Sequence, residues 1–451
     1  MARGAALLHH ARMGSMQTQW DVAIIGAGAA GLAAASELVR GGRSVVVLEA
    51  RDRIGGRIFS HQHPDFPYPI ELGAEFIHGE APATMELLRR VRLVAFDTAG
   101  SRWTRRGERL EPRENAFGDV ARLMRRVQDL PRDISVEEFL GQYAADPALE
   151  KARTWARMMV EGFDAADPRR ASVRGIAREW SGESLQGQYR PLGGYGAVFT
   201  ALVQALDPAR FELELNALVQ EIDWSSTGVR ISVQSGSRER SVRARYAIVT
   251  LPLAVLQLDS SDADAVRFTP TLRDKRDALA GVAQGPVIKV VLSFRRAWWE
   301  ELQQGRYADA GFTHSPAEDF PTLWTALPLR LPLLTAWTGG PRAARLADLD
   351  APSLIERALA VAGRTLGSTQ AAEREFLAGH VHDWQRDPFA RGAYSYVVVG
   401  GERAPAALAE PLASTLFFAG EAASADGTGT VEAALQSGYK AARMLLALSA
   451  N

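Results

Sequence analysis

The most constraining stretch of the chain is Gly26-Ala27-Gly28-Ala29-Ala30-Gly31, set between an apolar run, Val22 to Ile25, and a small-residue helix predicted over Ala29 to Arg40. Strand, glycine fingerprint and helix in that order suit a dinucleotide pyrophosphate. Gly26 permits the tight turn, Gly28 lets the pyrophosphate approach the backbone, and Gly31 lets the helix pack on the strand. The helix N-terminus presents free N–H groups to the phosphates. Gly41-Gly42 stops the helix and Val45 to Leu48 reads as a second buried strand, giving β-α-β with a parallel pair. Glu49 follows about 18 residues after Gly31 and is placed to accept hydrogen bonds from both ribose hydroxyls. An acid there disfavours a 2′-phosphate, so FAD or NAD is preferred over NADP, although a glycine-rich turn without any ligand has the same local pattern. The second glycine pair, Gly55-Gly56-Arg57, followed by Glu71-Leu72-Gly73-Ala74-Glu75, favours FAD.

Composition narrows the chemistry. The 451 residues contain no cysteine, which excludes disulfides, zinc-thiolate sites, thiol nucleophiles and a thioether to a flavin, so redox chemistry must come from a bound cofactor. The formal net charge of -1 leaves no electrostatic footprint for nucleic acid or an anionic membrane. No apolar run has the length of a membrane span. Residues 1–19 carry Arg3 and Arg12, no acid, and Gly14-Ser15-Met16, which fits a presequence, a tag scar or a wrongly assigned start, and the segment is expected to be a disordered tail. A cytoplasmic location is the default expectation.

Further along, Glu86 to Glu183 is rich in Arg, Asp and Glu at helical spacing, broken by Pro131, Pro147 and Pro168, and reads as a mostly helical unit. Short strands follow at Val229 to Val233, at Val242 and at Ala247 to Leu251, with a turn at Ser235-Gly236. Strands are predicted again at Val287 to Phe294, Leu333 to Trp337 and Leu416 to Ala419, with a helix between Ser353 and Ala362 and a closing helix from Val431. That last helix would aim its positive end at the negative charge of a reduced flavin. The expected fold is α/β: a doubly wound, Rossmann-like FAD domain assembled from 20–80, 200–285 and 408–451, plus an α+β substrate domain with a mixed sheet from 81–199 and 286–407.

Gly26 to Gly31, Glu49-Ala50-Arg51, Gly55-Gly56-Arg57 and Leu72-Gly73-Ala74 together resemble the flavin-dependent amine oxidase family, which includes monoamine oxidases, polyamine oxidases and a lysine demethylase. The likeness continues through Pro191 to Gly196, the strands from Val219 to Leu256, the Lys289 strand and Phe418-Ala419-Gly420-Glu421, covering nearly everything after residue 20. By that resemblance Val219 touches adenine through its backbone, and Gly420, Glu421, Thr430 and Val431 line the ribityl chain and isoalloxazine.

In Val287 to Phe294 side chains alternate, so Lys289 shares a face with Val287, Val291 and Ser293. The pattern by itself reads as a solvent-facing lysine; the resemblance makes it the residue that holds a water at flavin N5 and assists reoxidation by O2. The resemblance also makes Tyr394 one wall of an aromatic cage, with Trp384 packed on the cofactor, whereas core packing alone would account for both. The opposite wall, tyrosine in many relatives, falls on Thr430. Ala393 stands where monoamine oxidases carry the cysteine that anchors the flavin, so FAD is expected to be non-covalent. His78 matches a histidine of polyamine oxidases, though a loop histidine is commonly just hydrogen-bonded. Glu161, Asp164 and Asp167 offer negative charge to a cation, or simply a solvated helix end.

The implied reaction is oxidation of a C–N bond of a small-molecule amine by FAD and O2, which needs neither metal nor an acid–base dyad because the flavin accepts the hydride. Polyamines lead on the strength of Ile70 to Gly79. Amino acids are disfavoured because Phe59 replaces a carboxylate-binding arginine, and a histone because no long helical insertion is present. A carbon–carbon dehydrogenase of the carotenoid or protoporphyrinogen type and a non-catalytic flavin-binding module are the competing readings. A homodimer is compatible with all of these.

Overall fold

The computed structural model describes residues 19–64, 66–107, 109–113, 116–181, 187–425 and 427–448. Most of the tail expected over 1–19 lies outside these residues, but its boundary shifts, because the first strand already begins at Gln19.

Two large sheets dominate. The first has eight strands, ordered Phe211–Glu214, Val45–Leu48, Gln19–Ile25, Arg238–Val249, Gly228–Ser235, Leu218–Ser225 and Arg267–Thr269, with Leu416–Phe418 paired off this path to Arg238–Val249. Its nucleotide-facing part is parallel: Ile25 lies beside Leu48 and Val249, and Val249 beside Phe418. All four residues of Val45–Leu48 are buried, as expected of a strand covered on both faces. The short strands read at Val242 and Ala247 are one twelve-residue strand, Arg238–Val249, which returns antiparallel from Gly228–Ser235 through a turn at Gly236, φ 60°. The helix Ala29–Arg40 covers this sheet and packs against the closing helix Val431–Leu448.

The second sheet runs Phe376–Asp383, Val287–Phe294, Leu333–Gly339, Thr322–Thr325, Ala310–His314, Ser101–Arg106 and Arg109–Pro112. Its last two strands come from 86–183, a stretch in which helices predominate but which is joined to this sheet rather than being the separate unit expected. Helices are present there at Ala116–Arg125, Val136–Gly141, Glu150–Gly162 and Val173–Ser181, but Ser101–Arg106 and Arg109–Pro112 form a hairpin. The exposed arginines imitate a polar helix face, while Trp103 and Leu110 are buried in the sheet core. The helix expected between Ser353 and Ala362 extends over Ala351–Leu366.

Candidate active site

A cavity of about 1060 Å³ is lined by residues of both large sheets, from Gly26 and Glu49 on the first to Lys289 and Trp337 on the second. At the nucleotide end its wall includes Gly26, Gly28, Ala29 and Ala30, with Ala50, Arg51, Gly55, Gly56 and Val219 beside them. A side-chain carbon built on Gly28 would meet nothing closer than Gly55 O at 3.9 Å, so the backbone there faces open space. Glu49 is buried, one carboxylate oxygen accepting from Ala27 N at 2.8 Å and the other from Arg51 N at 2.9 Å, each with acceptor capacity to spare. Arg51 donates both terminal nitrogens to Asp387, at 2.9 and 2.6 Å, which joins this loop to the 384–391 segment.

Two predicted cofactor contacts stand elsewhere. Gly31 does not line the cavity; a side-chain carbon on it would sit 2.0 Å from Gly26 O, so it sets the distance between helix and strand. Leu72 also lies outside the lining, its carbonyl accepting from Trp384 Nε1 at 3.1 Å, so it acts through the tryptophan.

The other end is built around Lys289. Val287–Phe294 is buried on both faces: Ile288, Val290, Leu292 and Phe294 enter the sheet core, while Lys289 points to the cavity. The solvent-facing reading is therefore wrong, because a second layer covers the face that the alternation left open. Lys289 Nζ donates to Glu75 Oε2 at 2.7 Å and to Gly73 O at 3.1 Å, and lies 5.3 Å from the centre of the Trp324 ring. An ammonium has three hydrogens, so one is left for the cavity. Glu75 also accepts from Arg190 Nε at 2.8 Å and from Trp324 Nε1. Burial by itself would raise the Glu75 carboxyl, but Lys289 and Arg190 outweigh it and hold the acid below its ordinary range. Glu75, expected to touch the cofactor, is thus the hydrogen-bond partner that aims Lys289.

Tyr394, Trp384, Ala74, Gly73 and His78 line the same cavity. Tyr394 stacks on Trp337, ring centres 6.3 Å apart and planes 14° apart, while Trp337 Nε1 donates to Gly162 O at 2.8 Å. Thr430 also lines the cavity and caps the closing helix, its hydroxyl accepting from Ala433 N at 3.0 Å. Buried Glu421 binds Arg57 Nη1 at 2.7 Å and accepts from Ser395 Oγ at 2.6 Å and Gly429 N at 2.9 Å, tying the Tyr394 and Thr430 segments together. Burial opposes the Glu421 charge, and Arg57 with these donors restores it. His78 meets Phe163 edge-on at 5.4 Å, and burial with the nearby Arg102 charge pushes its imidazole down to about 4. It is neutral at pH 7.

The profile of flavin-containing amine oxidoreductases matches residues 29–446. The chain belongs to that family. Human lysine-specific histone demethylase 2 is 27% identical over 95% of the chain and 53% of its own length. Polyamine oxidase 4 of Oryza sativa subsp. japonica is 27% identical over 94% of the chain and 88% of its own length. The oxidoreductase thus spans about half the length of the demethylase and most of the plant enzyme. Putrescine oxidase bound to putrescine has a TM-score of 0.80, with 22% identity over 95% of the chain and 99% of its own. Cyclohexylamine oxidase from Brevibacterium oxydans IH-35A has a TM-score of 0.79, with 24% identity over 96% and 100%.

The cofactor of this oxidoreductase is FAD, and a chain without cysteine holds it with no thioether. The geometry fits the group: Gly420, φ 151°, and Gly427, φ 147°, both line the cavity and would carry a side chain into open space, as Gly28 would. Val431, the first residue of the closing helix, lines it too. Sequence reading missed Trp337, Trp324, Arg190 and Glu179 as parts of the site. Each looks like an ordinary core aromatic or surface charge until the strands are laid side by side. No described helix is long and apolar enough to cross a membrane.

Proposed function

We propose that this oxidoreductase oxidises the C–N bond of a primary or secondary amine, releasing an imine that hydrolyses to an aldehyde or ketone. FAD supplies the hydride acceptor and is returned to its oxidised form by O2, giving hydrogen peroxide. In this reading the 26–31 loop receives the pyrophosphate, Glu49 the ribose, and Val219 the adenine. Gly420, Glu421, Thr430 and Val431 surround the ribityl chain and ring.

Lys289 carries the proposal. A lysine buried in the sheet, its desolvation offset by Glu75 and Gly73 O, is aimed into an aromatic cavity shared with a dinucleotide loop, where its position suits a task at the reacting end. Its remaining hydrogen orients a water there. Tyr394, Trp337 and Trp324 keep bulk water out of the same volume. That dryness matters because an amine of pKa about 10 is only ~0.1% neutral at pH 7, a deficit of roughly 4 kcal/mol, and its lone pair is needed for oxidation. Burial favours the neutral form. Neutral His78 is suited to a hydrogen bond with substrate and does not add a repelling cation.

The test is anaerobic mixing of the yellow protein with a panel of amines while the oxidised-flavin band is followed. Bleaching by amines supports the reading. Bleaching only by polyenes or porphyrinogens would transfer the protein to carbon–carbon dehydrogenation, and persistent colour with every substrate would leave a flavin-binding module. Lys289→Met is expected to slow reoxidation or turnover at least about a hundredfold while FAD stays bound, the scale of a lost charged group in a water-poor site.

A further inference from the structure

The register of the second sheet lays out a row of side chains that runs away from Lys289. Lys289 pairs with Trp337, Trp337 with Thr322, and Thr322 with His314. Paired positions share a face of the sheet, and all four residues line the cavity. The ends of the row are three strand spacings apart, about 14 Å. Beside it on the same face, Trp324 pairs with Phe312 and Phe312 with Arg102. The floor of the cavity is therefore largely aromatic outward from Lys289, and it ends in charge.

That charge is held in place. Arg113 Nη1 lies 3.1 Å from His314 Nε2, and because a guanidinium only donates, the imidazole accepts. The imidazole proton then sits on Nδ1, which faces Thr322 Oγ1 at 3.4 Å. Burial, then the Arg113 and Arg102 charges, keeps His314 well below its ordinary range, so it stays a neutral acceptor. The Arg113 guanidinium lies 4.0 Å from the centre of the Trp155 ring, which fixes its plane. Its backbone N–H donates to Arg102 O at 2.8 Å, and the Arg102 guanidinium is 5.3 Å from the Phe312 ring centre. Burial, then the Arg102 charge, pushes Arg113 down to about 10, which leaves it a cation at pH 7. Both arginines line the cavity. Asp164 and Glu179 belong to the other end, where both act on Tyr394, and burial raises the first well above its ordinary range and the second to about 8. Glu80 and Asp97 also line the cavity but are exposed, where water and salt screen them.

We infer that Arg113, with Arg102 beside it, binds an anionic group at the far end of the substrate, which makes a long amine with a terminal carboxylate the favoured class. The inference rests on the amine-oxidase reading above. A guanidinium of fixed plane offers a carboxylate paired donors in a site that holds little water. Trp337, Trp324 and Phe312 take the apolar stem between the two ends. An extended chain of about 14 Å has roughly the length of four residues, or twelve bonds, so only a long tail reaches. A second ammonium on a tail of that length meets like charge.

The experiment is anaerobic stopped-flow bleaching of the holoenzyme, which separates Kd from the limiting rate of flavin reduction. The probes are 12-aminododecanoate, its neutral carboxamide and 1,12-diaminododecane, with 4-aminobutanoate and its carboxamide as tails too short to reach. The expected Kd of 12-aminododecanoate is at least about tenfold below that of its carboxamide, the scale of one charge-assisted hydrogen bond, and the diamine binds weakest of the three. The short pair differs by less than about threefold. Arg113→Gln removes most of the long-chain difference and leaves the limiting bleaching rate within about threefold, because it touches the tail and not the reacting end. No carboxylate preference in the wild type, an equal preference in the short pair, or a preference that survives Arg113→Gln overturns the inference. If that variant fails to hold FAD, Arg102→Gln on the exposed strand takes its place, with a smaller loss of the preference expected and an unchanged preference overturning the inference. Alkylamines that bleach the flavin while the carboxylate makes no difference leave the amine-oxidase reading standing alone. Failure of every amine to bleach the wild type sinks that reading, and the inference with it.

Discussion

Glu71 and Glu75 lie four residues apart in one segment, and the structure shifts them in opposite directions. Glu75 has two cations against it and stays ionised, whereas Glu71 is buried with Oε1 accepting from Ser60 Oγ and Tyr195 N and with Oε2 unpartnered among the described residues. Burial pushes Glu71 up to about 7. Its folded value lies above the unfolded one, so the native state holds the extra proton between roughly pH 4.5 and 7, and stability falls as pH rises through that window. The loss amounts to about 3 kcal/mol by pH 8. Glu71→Gln should therefore stabilise the protein at pH 8, with the gain shrinking toward zero near pH 4.5. Urea denaturation at both pH values reads the difference, and a gain independent of pH would refute the assignment.

Between elements, the contact that sets the nucleotide end is the packing of helix Ala29–Arg40 against helix Val431–Leu448. Gly438 makes it possible, since a side-chain carbon there would lie 2.2 Å from Ala30 O. Gly438→Ala must push apart the two helices whose first turns line the cavity, at a cost of roughly 1–3 kcal/mol. A lower Tm together with weaker FAD retention on dialysis is expected, and retention unchanged at reduced Tm would separate the helix contact from the cofactor. The strand Val287–Phe294 shows how far an element can be read in advance. Its period was legible, and so was the odd residue in it, but periodicity cannot distinguish solvent from a second buried layer.

For the molecule as a whole, the cavity takes its walls from both sheets, so a ligand that fills it bonds them together. FAD should stabilise the stripped protein in a concentration-dependent way, by about 2.7 kcal/mol at a hundred times its Kd, and raise its Tm accordingly. Differential scanning fluorimetry across an FAD series checks this, and a Tm that ignores FAD would show that the halves are joined by packing alone.

Local chemistry determined what the sequence could show by itself. The turn at Gly26, the parallel β-α-β opening, Glu49 after the second strand and the exclusion of a thioether all follow from residues close together in the chain or from composition. The hairpin at 101–112 was hidden because arginines suit an exposed strand and an exposed helix equally well. Only the tertiary structure decided the partners of Lys289, which are 214 and 216 residues away in Glu75 and Gly73, and the stacking of Trp337 on Tyr394. It likewise decided the burial of Asp164, because charge state and solvent access depend on which layer finally covers a face.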